Sequence, residues 1–281
     1  PLSIRGGELK PIIYHTPVAS AQVKSAILLA GLYASGVTEV IEPISSRDHT
    51  ERMLKALGAY VETNGTRVQI EGGSELEAFS LSIPGDISSA AFFIVGGTIV
   101  PGSEIIIRQV GINPLRTGII EILQRMGADL KITEVKRVGG EKQADIIVKS
   151  AGLKGIEISG EIIPRTIDEL PILAVAASQA EGTTIIREAK ELRVKETDRI
   201  RAMVEGLRRM GVEVEEFEDG MAITGTQNLK GTRIFSYGDH RIAMSFAIAG
   251  LIASGETIIE DTASIATSFP NFMELLKSLV N

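Results

Sequence analysis

The 281-residue sequence has no cysteine and only three histidines. Disulfides, thiolate metal sites and cysteine nucleophiles are thereby excluded, and the scattered histidines offer no metal-ligand spacing. Positive charge is also in deficit, with a formal net charge of −7. Binding a phosphate backbone needs cations clustered over a face, so a nucleic-acid surface is excluded and the local basic spots point to small anions. Long hydrophobic runs are missing too. The longest, 26–32 and 242–253, are short or broken by glycine and polar residues, and no signal peptide is visible. A cytoplasmic protein with no membrane partner is expected. The initiator methionine is absent as well: the chain opens on Pro1 inside a strand-like stretch, which predicts a piece of a longer polypeptide.

What is present fits a globular protein with one or two large cores, at 44% hydrophobic and 23% charged residues. The informative feature is a repeat. A helix of small residues followed by a Gly-x-Thr-like turn and a strand occurs at 20–41, 88–107, 168–186 and 239–259. A more charged helix follows each copy, and in the first three it ends in a glycine, at Gly58, Gly127 and Gly211, as expected of a left-handed helix cap. Two short strands then close the unit, as in 60–63 with 67–71 and 213–217 with 221–224. The predicted unit is β-α-β-α-β-β with a period of roughly seventy residues, and the fourth copy stops after its second helix. The fold class is α/β, built from repeated βαβαββ units.

The first helix of each unit is nearly apolar all round, which predicts a buried helix, whereas the second is amphipathic. Buried first helices would bring several helix starts, with their partial positive charge, to one site. The entry residues are Ser20 and Gln22, Ser88 and Ser89, Asp168 and Glu169, and Asp239, His240 and Arg241. Ser88, Ser89 and Asp239 are expected to be simple caps. Arg241 has no local carboxylate except Asp239.

The stretch 191–199, ELRVKETDR, opposes ordinary helix logic. Lys195 and Arg199 are expected in the first turn of a helix, where cations are unfavourable unless an anion sits with them. Two readings stand side by side. A phosphate or carboxylate ligand resolves the conflict, or the segment is a solvated charged face with a Glu191–Lys195 pair and Thr197 as cap.

Five motifs carry a resemblance: LRVKETDR at 192–199, GDHRIAM at 238–244, TSFPNF at 267–272, PVASAQVKSAILLAGL at 17–32 and RDHTE at 47–51. Together they make the chain similar to the enolpyruvyl transferases, in the branch that joins shikimate 3-phosphate to phosphoenolpyruvate. The resemblance runs along the whole chain and implies the inside-out α/β domains of that family. It implies that Ser20, Ala21, Gln22, Arg47, Asp168 and Lys195 contact shikimate 3-phosphate, with Arg47 on its phosphate. Ala21 stands where many members have a serine. Gln22, Arg199 and Arg241 fall on the phosphoenolpyruvate side, with Lys195 and Glu196 beside them. Asp168 and Glu196 are the implied catalytic pair. Thr267 departs from the lysine that many members carry and is left out of the site.

The chemistry suits these residue types. Adding an alcohol to an enol ether carbon needs a base for the hydroxyl, an acid for the methylene and cations to hold the charge that develops. Arginine forks match carboxylate and phosphate geometry. No metal or organic cofactor is required. Segment 1–82 is expected to be the last unit of an N-terminal domain and 83–281 the bulk of a C-terminal one. Units one and two, about 150 residues by the repeat period, are then missing. The chain alone is expected to be inactive, and its first unit, without its neighbours, to expose the apolar helix 23–32 and either to be mobile or to self-associate through it, whereas the full-length enzyme is expected to be a monomer. The alternatives are an enzyme like UDP-N-acetylglucosamine enolpyruvyl transferase and a non-catalytic anion-binding fragment.

Overall fold

In the computed structural model, residues 1–225 and 228–280 are described, and they form two compact units. The first comprises Pro1–Ile83 with Lys136–Gln143. Its elements are β1 (Ile13–His15), α1 (Ala21–Gly31), β2 (Val37–Ile41), α2 (His49–Ala56), β3 (Val61–Asn64) and β4 (Arg67–Glu71). The sheet order is β1-β2-β4-β3, with β1 and β2 parallel and the other pairs antiparallel. Along β4 the period of two is plain: Val68 and Ile70 are buried while Arg67 and Glu71 are exposed. They join Leu28 of α1, Val40 of β2 and Leu54 of α2 in a small core.

The second unit comprises Pro84–Val135 and Ala144–Asn281 and repeats the plan. Its first copy holds α3 (Ile87–Ile99), β5 (Glu104–Gly111), α4 (Gly118–Met126), β6 (Asp129–Val138) and β7 (Glu141–Lys149), in sheet order β5-β7-β6, the ends of β6 and β7 within 136–143 being counted with the first unit. The outer strand shrinks to one parallel bridge, Gly85 to Val110. Next come β8 (Glu157–Ile158), α5 (Leu170–Ala177), β9 (Thr183–Ile186), α6 (Arg199–Arg209), β10 (Glu213–Phe217) and β11 (Gly220–Thr224), ordered β10-β11-β9-β8. Last are β12 (Arg233–Phe235), α7 (His240–Gly250), β13 (Ile258–Glu260), α8 (Ile265–Ser268) and α9 (Phe272–Val280), with β12 parallel to β13.

Helices α3, α5 and α7 pack on one another. Every residue of α5 is buried, and so is all of α3 except Ser89 and the terminal Ile99, the environment in which a helix apolar on all sides is stable. Small residues permit the close approach. Gly206 of α6 faces the ring of Phe246 on α7, and a side chain there would overlap it. The first unit differs from this, and its α1 exposes apolar surface as expected of a unit without its neighbours. Val23 and Leu29 of α1 are nearly half exposed, and only Lys24, Leu28 and Gly31 are buried. The reason is that its unit offers α1 a single sheet face and no second apolar helix to pack against.

The glycines after the amphipathic helices hold the left-handed backbone that ends them, with φ of 94° at Gly58, 99° at Gly127 and 90° at Gly211. Among the described residues no helix is long and apolar enough to cross a membrane.

Candidate functional site

The starts of α3, α5, α6 and α7 converge in the second unit, and a chain of charged contacts joins them. Its centre is Arg199, the first residue of α6. Its side chain is 1% exposed, and Nε donates to Asp239 Oδ2 at 2.8 Å while Nη2 donates to Glu196 Oε2 at 2.6 Å. Nη1 stands 3.7 Å from Asp168 Oδ1. Asp239 is fully buried and also caps α7, accepting from the backbone N–H of Arg241 at 2.8 Å and of Ile242 at 3.3 Å. The guanidinium of Arg241 turns instead to Asp168, donating to its carbonyl at 3.1 Å and lying 3.8 Å from its Oδ2. The Asp168 carboxylate therefore sits between two guanidinium groups.

Behind it lies Glu169, 2% exposed. Ser88 Oγ donates to Glu169 Oε1, and Arg116 donates to Ser88 Oγ at 2.6 Å and pairs with Asp86 at 2.9 Å. Burial pushes the Glu169 carboxyl above the usual range, against the opposing pull of Ser88 and Arg241. Burial, with the charge of Arg241, lowers His240 so that it stays neutral more readily.

Several sequence expectations are corrected here. Lys195 is outside the first turn of α6: it follows a 3₁₀ turn at Lys190–Val194 with an extended backbone, and α6 begins four residues later. Thr197 is not the cap; Asp198 is, accepting from Arg201 N–H at 3.0 Å. The Glu191–Lys195 pair does form, across the 3₁₀ turn rather than on a helix. Arg193 fixes the shape of the segment by pairing with Asp198 at 2.8 Å and Glu216 at 2.9 Å and donating to the carbonyls of Phe217 and Glu218. The conflict at Arg199 is resolved by carboxylates of the protein itself. Ser88 and Ser89, expected to be caps, are not: α3 is capped by Asp86, and Ser88 bonds to Glu169 instead, while Asp239, expected to be a cap alone, both caps α7 and binds Arg199.

The structure thus brings together Asp168, Glu196, Arg199 and Arg241. Lys195 lies on the adjoining turn. Ser20, Ala21, Gln22 and Arg47 lie in the first unit. Ser20 caps α1, accepting from Val23 N–H at 3.4 Å, Ala21 and Gln22 open that helix, and Arg47 is in the loop before α2. Arg116 and Glu169 were not assigned a role from sequence. Arg116 lies 28 residues from Ser88, and only the folded chain reveals the contact. Among the described residues, no group of three or more His, Asp or Glu is placed to hold a metal ion.

A family model, EPSP synthase (3-phosphoshikimate 1-carboxyvinyltransferase), matches residues 1–276. The chain belongs to the EPSP synthase family. It is 57% identical over 280 residues to the 3-phosphoshikimate 1-carboxyvinyltransferase of Citrifermentans bemidjiense, covering 100% of this chain and 65% of that protein. The enzyme of that name from Bacillus thuringiensis is 54% identical over 279 residues, covering 99% and 65%. Among solved structures, an EPSP synthase from Acinetobacter baumannii superposes with a TM-score of 0.92 at 50% identity, over 97% of this chain and 63% of that one. The chain thus spans about two thirds of the length of these relatives. The fold is α/β, as the repeats predict, and it is the enolpyruvyl transferase fold that the resemblance implied.

Proposed function

We propose that this chain carries out its part of the transfer of an enolpyruvyl group from phosphoenolpyruvate to the 5-hydroxyl of shikimate 3-phosphate. The observation that carries the reading is the Asp168 carboxylate set between Arg199 and Arg241, with Glu196 on the outer side of Arg199. Two arginines provide bidentate donors for the carboxylate and phosphate of phosphoenolpyruvate. The hydroxyl oxygen bonds to C2 of phosphoenolpyruvate as its proton passes to a carboxylate, and an acid protonates C3 to give a tetrahedral adduct. The C2–O bond to phosphate then breaks, a proton leaves the new methyl group, and the enol ether and inorganic phosphate result. Asp168 and Glu196 share these transfers. Glu196 suits the role because its side chain is half exposed and within reach of a ligand. Lys195, Ser20, Gln22 and Arg47 hold shikimate 3-phosphate, Gln22 also serves phosphoenolpyruvate, and Ala21 contributes backbone. Residues 1–82 are read as the last repeat of one domain and 83–281 as most of another.

The test is phosphate release with both substrates, run on the chain alone and mixed with the part of the Citrifermentans bemidjiense protein outside the match. Turnover is expected only on mixing, and Glu196→Gln should lower it by roughly 10²–10⁴. Turnover indifferent to Glu196→Gln, or none in either arm, refutes the reading.

A further inference from the structure

Lys24 is a buried cation that the proposed chemistry does not use. It lies one turn into α1 with its side chain 2% exposed, between Glu42 and Glu51, which are as deeply buried. Isolated buried charges are costly, so an ammonium and two carboxylates held together this way need a compensating arrangement. The two acids serve it differently. Lys24 Nζ donates to Glu42 Oε2 at 2.9 Å, and the same oxygen accepts from the backbone N–H of Ser46 at 3.2 Å. Nζ also donates to the carbonyl of Ser46 at 3.4 Å. Glu51 is an ion partner only: its Oε1 is 2.8 Å from Nζ but without hydrogen-bond geometry. A third tie, Ser25 Oγ to Thr50 Oγ1 at 2.6 Å, joins α1 to α2. Lys24, on the helix whose cap is Ser20, and Glu42, just after β2, therefore grip both backbone groups of Ser46, the residue before Arg47.

From this juxtaposition we infer that Lys24 and Glu42 are positioning residues for shikimate 3-phosphate: they set the Arg47 loop against the start of α1. The inference rests on the reading that Arg47 and Ser20 hold that substrate. It also accounts for part of one sequence motif, because Lys24 belongs to the string that opens α1. Neither side chain is expected to touch the ligand. A guanidinium and a helix start can share one phosphate only if the loop holds its place. The loop backbone is tied at Ser46 by buried groups, whose hydrogen bonds are stronger away from water.

The experiment compares Glu42→Gln, Glu51→Gln and Arg47→Ala in the chain by NMR titration with shikimate 3-phosphate and, separately, phosphoenolpyruvate. Glu42→Gln and Glu51→Gln each remove one buried negative charge beside Lys24, but only the first weakens the hold on Ser46. Glu42→Gln is expected to raise the dissociation constant for shikimate 3-phosphate about tenfold, the scale of one charge-assisted contact. Glu51→Gln should change it by less than about threefold, and phosphoenolpyruvate should bind all three variants alike. A merely structural role would move Glu42→Gln and Glu51→Gln together, and equal effects overturn the inference while Arg47→Ala still weakens binding. No binding by the parent chain, or no effect of Arg47→Ala, overturns the underlying reading and the inference with it. Should Glu42→Gln fail to fold, amide exchange in the parent chain decides. The Ser46 N–H is expected to be protected like those of α1, and rapid exchange there overturns the inference.

Discussion

Replacing Asp239 with alanine tests the centre of the site, because one carboxylate does two jobs there. It accepts from two N–H groups at the start of α7, and losing such a cap costs about 1 kcal/mol. It is also the closest partner of the Arg199 Nε, in a pair whose side chains are 0% and 1% exposed, so solvent does little screening. Breaking a buried pair by removing one member costs about 3–5 kcal/mol. Arg199 keeps Glu196 at 2.6 Å and Asp168 at 3.7 Å, which places the loss at the lower end, about 3 kcal/mol. The two terms give about 4 kcal/mol for Asp239→Ala, a large share of the roughly 5–15 kcal/mol that holds most domains folded. Asp239→Asn leaves an oxygen for the cap and should lose about 3 kcal/mol, from the pair alone. Glu196→Gln, at the half-exposed end of the same guanidinium, should lose less than about 1 kcal/mol. Urea unfolding followed by circular dichroism measures all three. If Asp239→Ala unfolds within about 1 kcal/mol of the parent, Arg199 is not held as described.

The other expectations concern neighbours of this cluster. Burial raises the Glu169 carboxyl, so the folded protein binds that proton more tightly than the unfolded chain, and stability drains away as pH rises from the ordinary carboxylate range through the folded value. Glu169→Gln cannot ionise and should therefore gain on the parent with rising pH; stability curves that run parallel from pH 4 to 8 would contradict this. Gly206→Ala improves helix propensity by about 1 kcal/mol, yet its Cβ would overlap the buried Phe246 ring, and overpacking costs about 1–3 kcal/mol. A thermal melt should show net destabilisation; a raised melting temperature would mean that α6 and α7 can separate without cost.

The repeats were legible because they depend on local signals. Periods of 3.6 and 2, glycine after Leu57, Met126 and Met210, and paired short strands each lie within a few residues of one another. The strand order then recurs from copy to copy. The charged contacts were not legible, because their partners are far apart in the chain: Arg199 and Asp239 are separated by 40 residues, Ser88 and Glu169 by 81. At 191–199 the clash between cations and a helix start was visible, but no local pattern shows that a carboxylate 40 residues on would meet it. Lys24 was hidden for a related reason. In sequence it interrupts an apolar helix like a solvent-facing lysine, and only the positions of Glu42 and Glu51 turn it inward.

The repeated plan also means that this chain carries its own alignment. The three glycines with φ near 95° close the amphipathic helices at equivalent places in three copies, and what is common at such places belongs to the architecture. The openings of the apolar helices occupy equivalent places too: Ser20, Asp86 and Asp239 share the work of a cap, yet the residues beside them differ, Gln22, Ser88 and Arg241, and α5 opens on Asp168 and Glu169 with no side-chain cap. In a protein built by repetition, the positions where the copies disagree, read one against another, mark where each copy has been given separate work, and here they fall at the starts of the apolar helices while the constant glycines close the amphipathic ones.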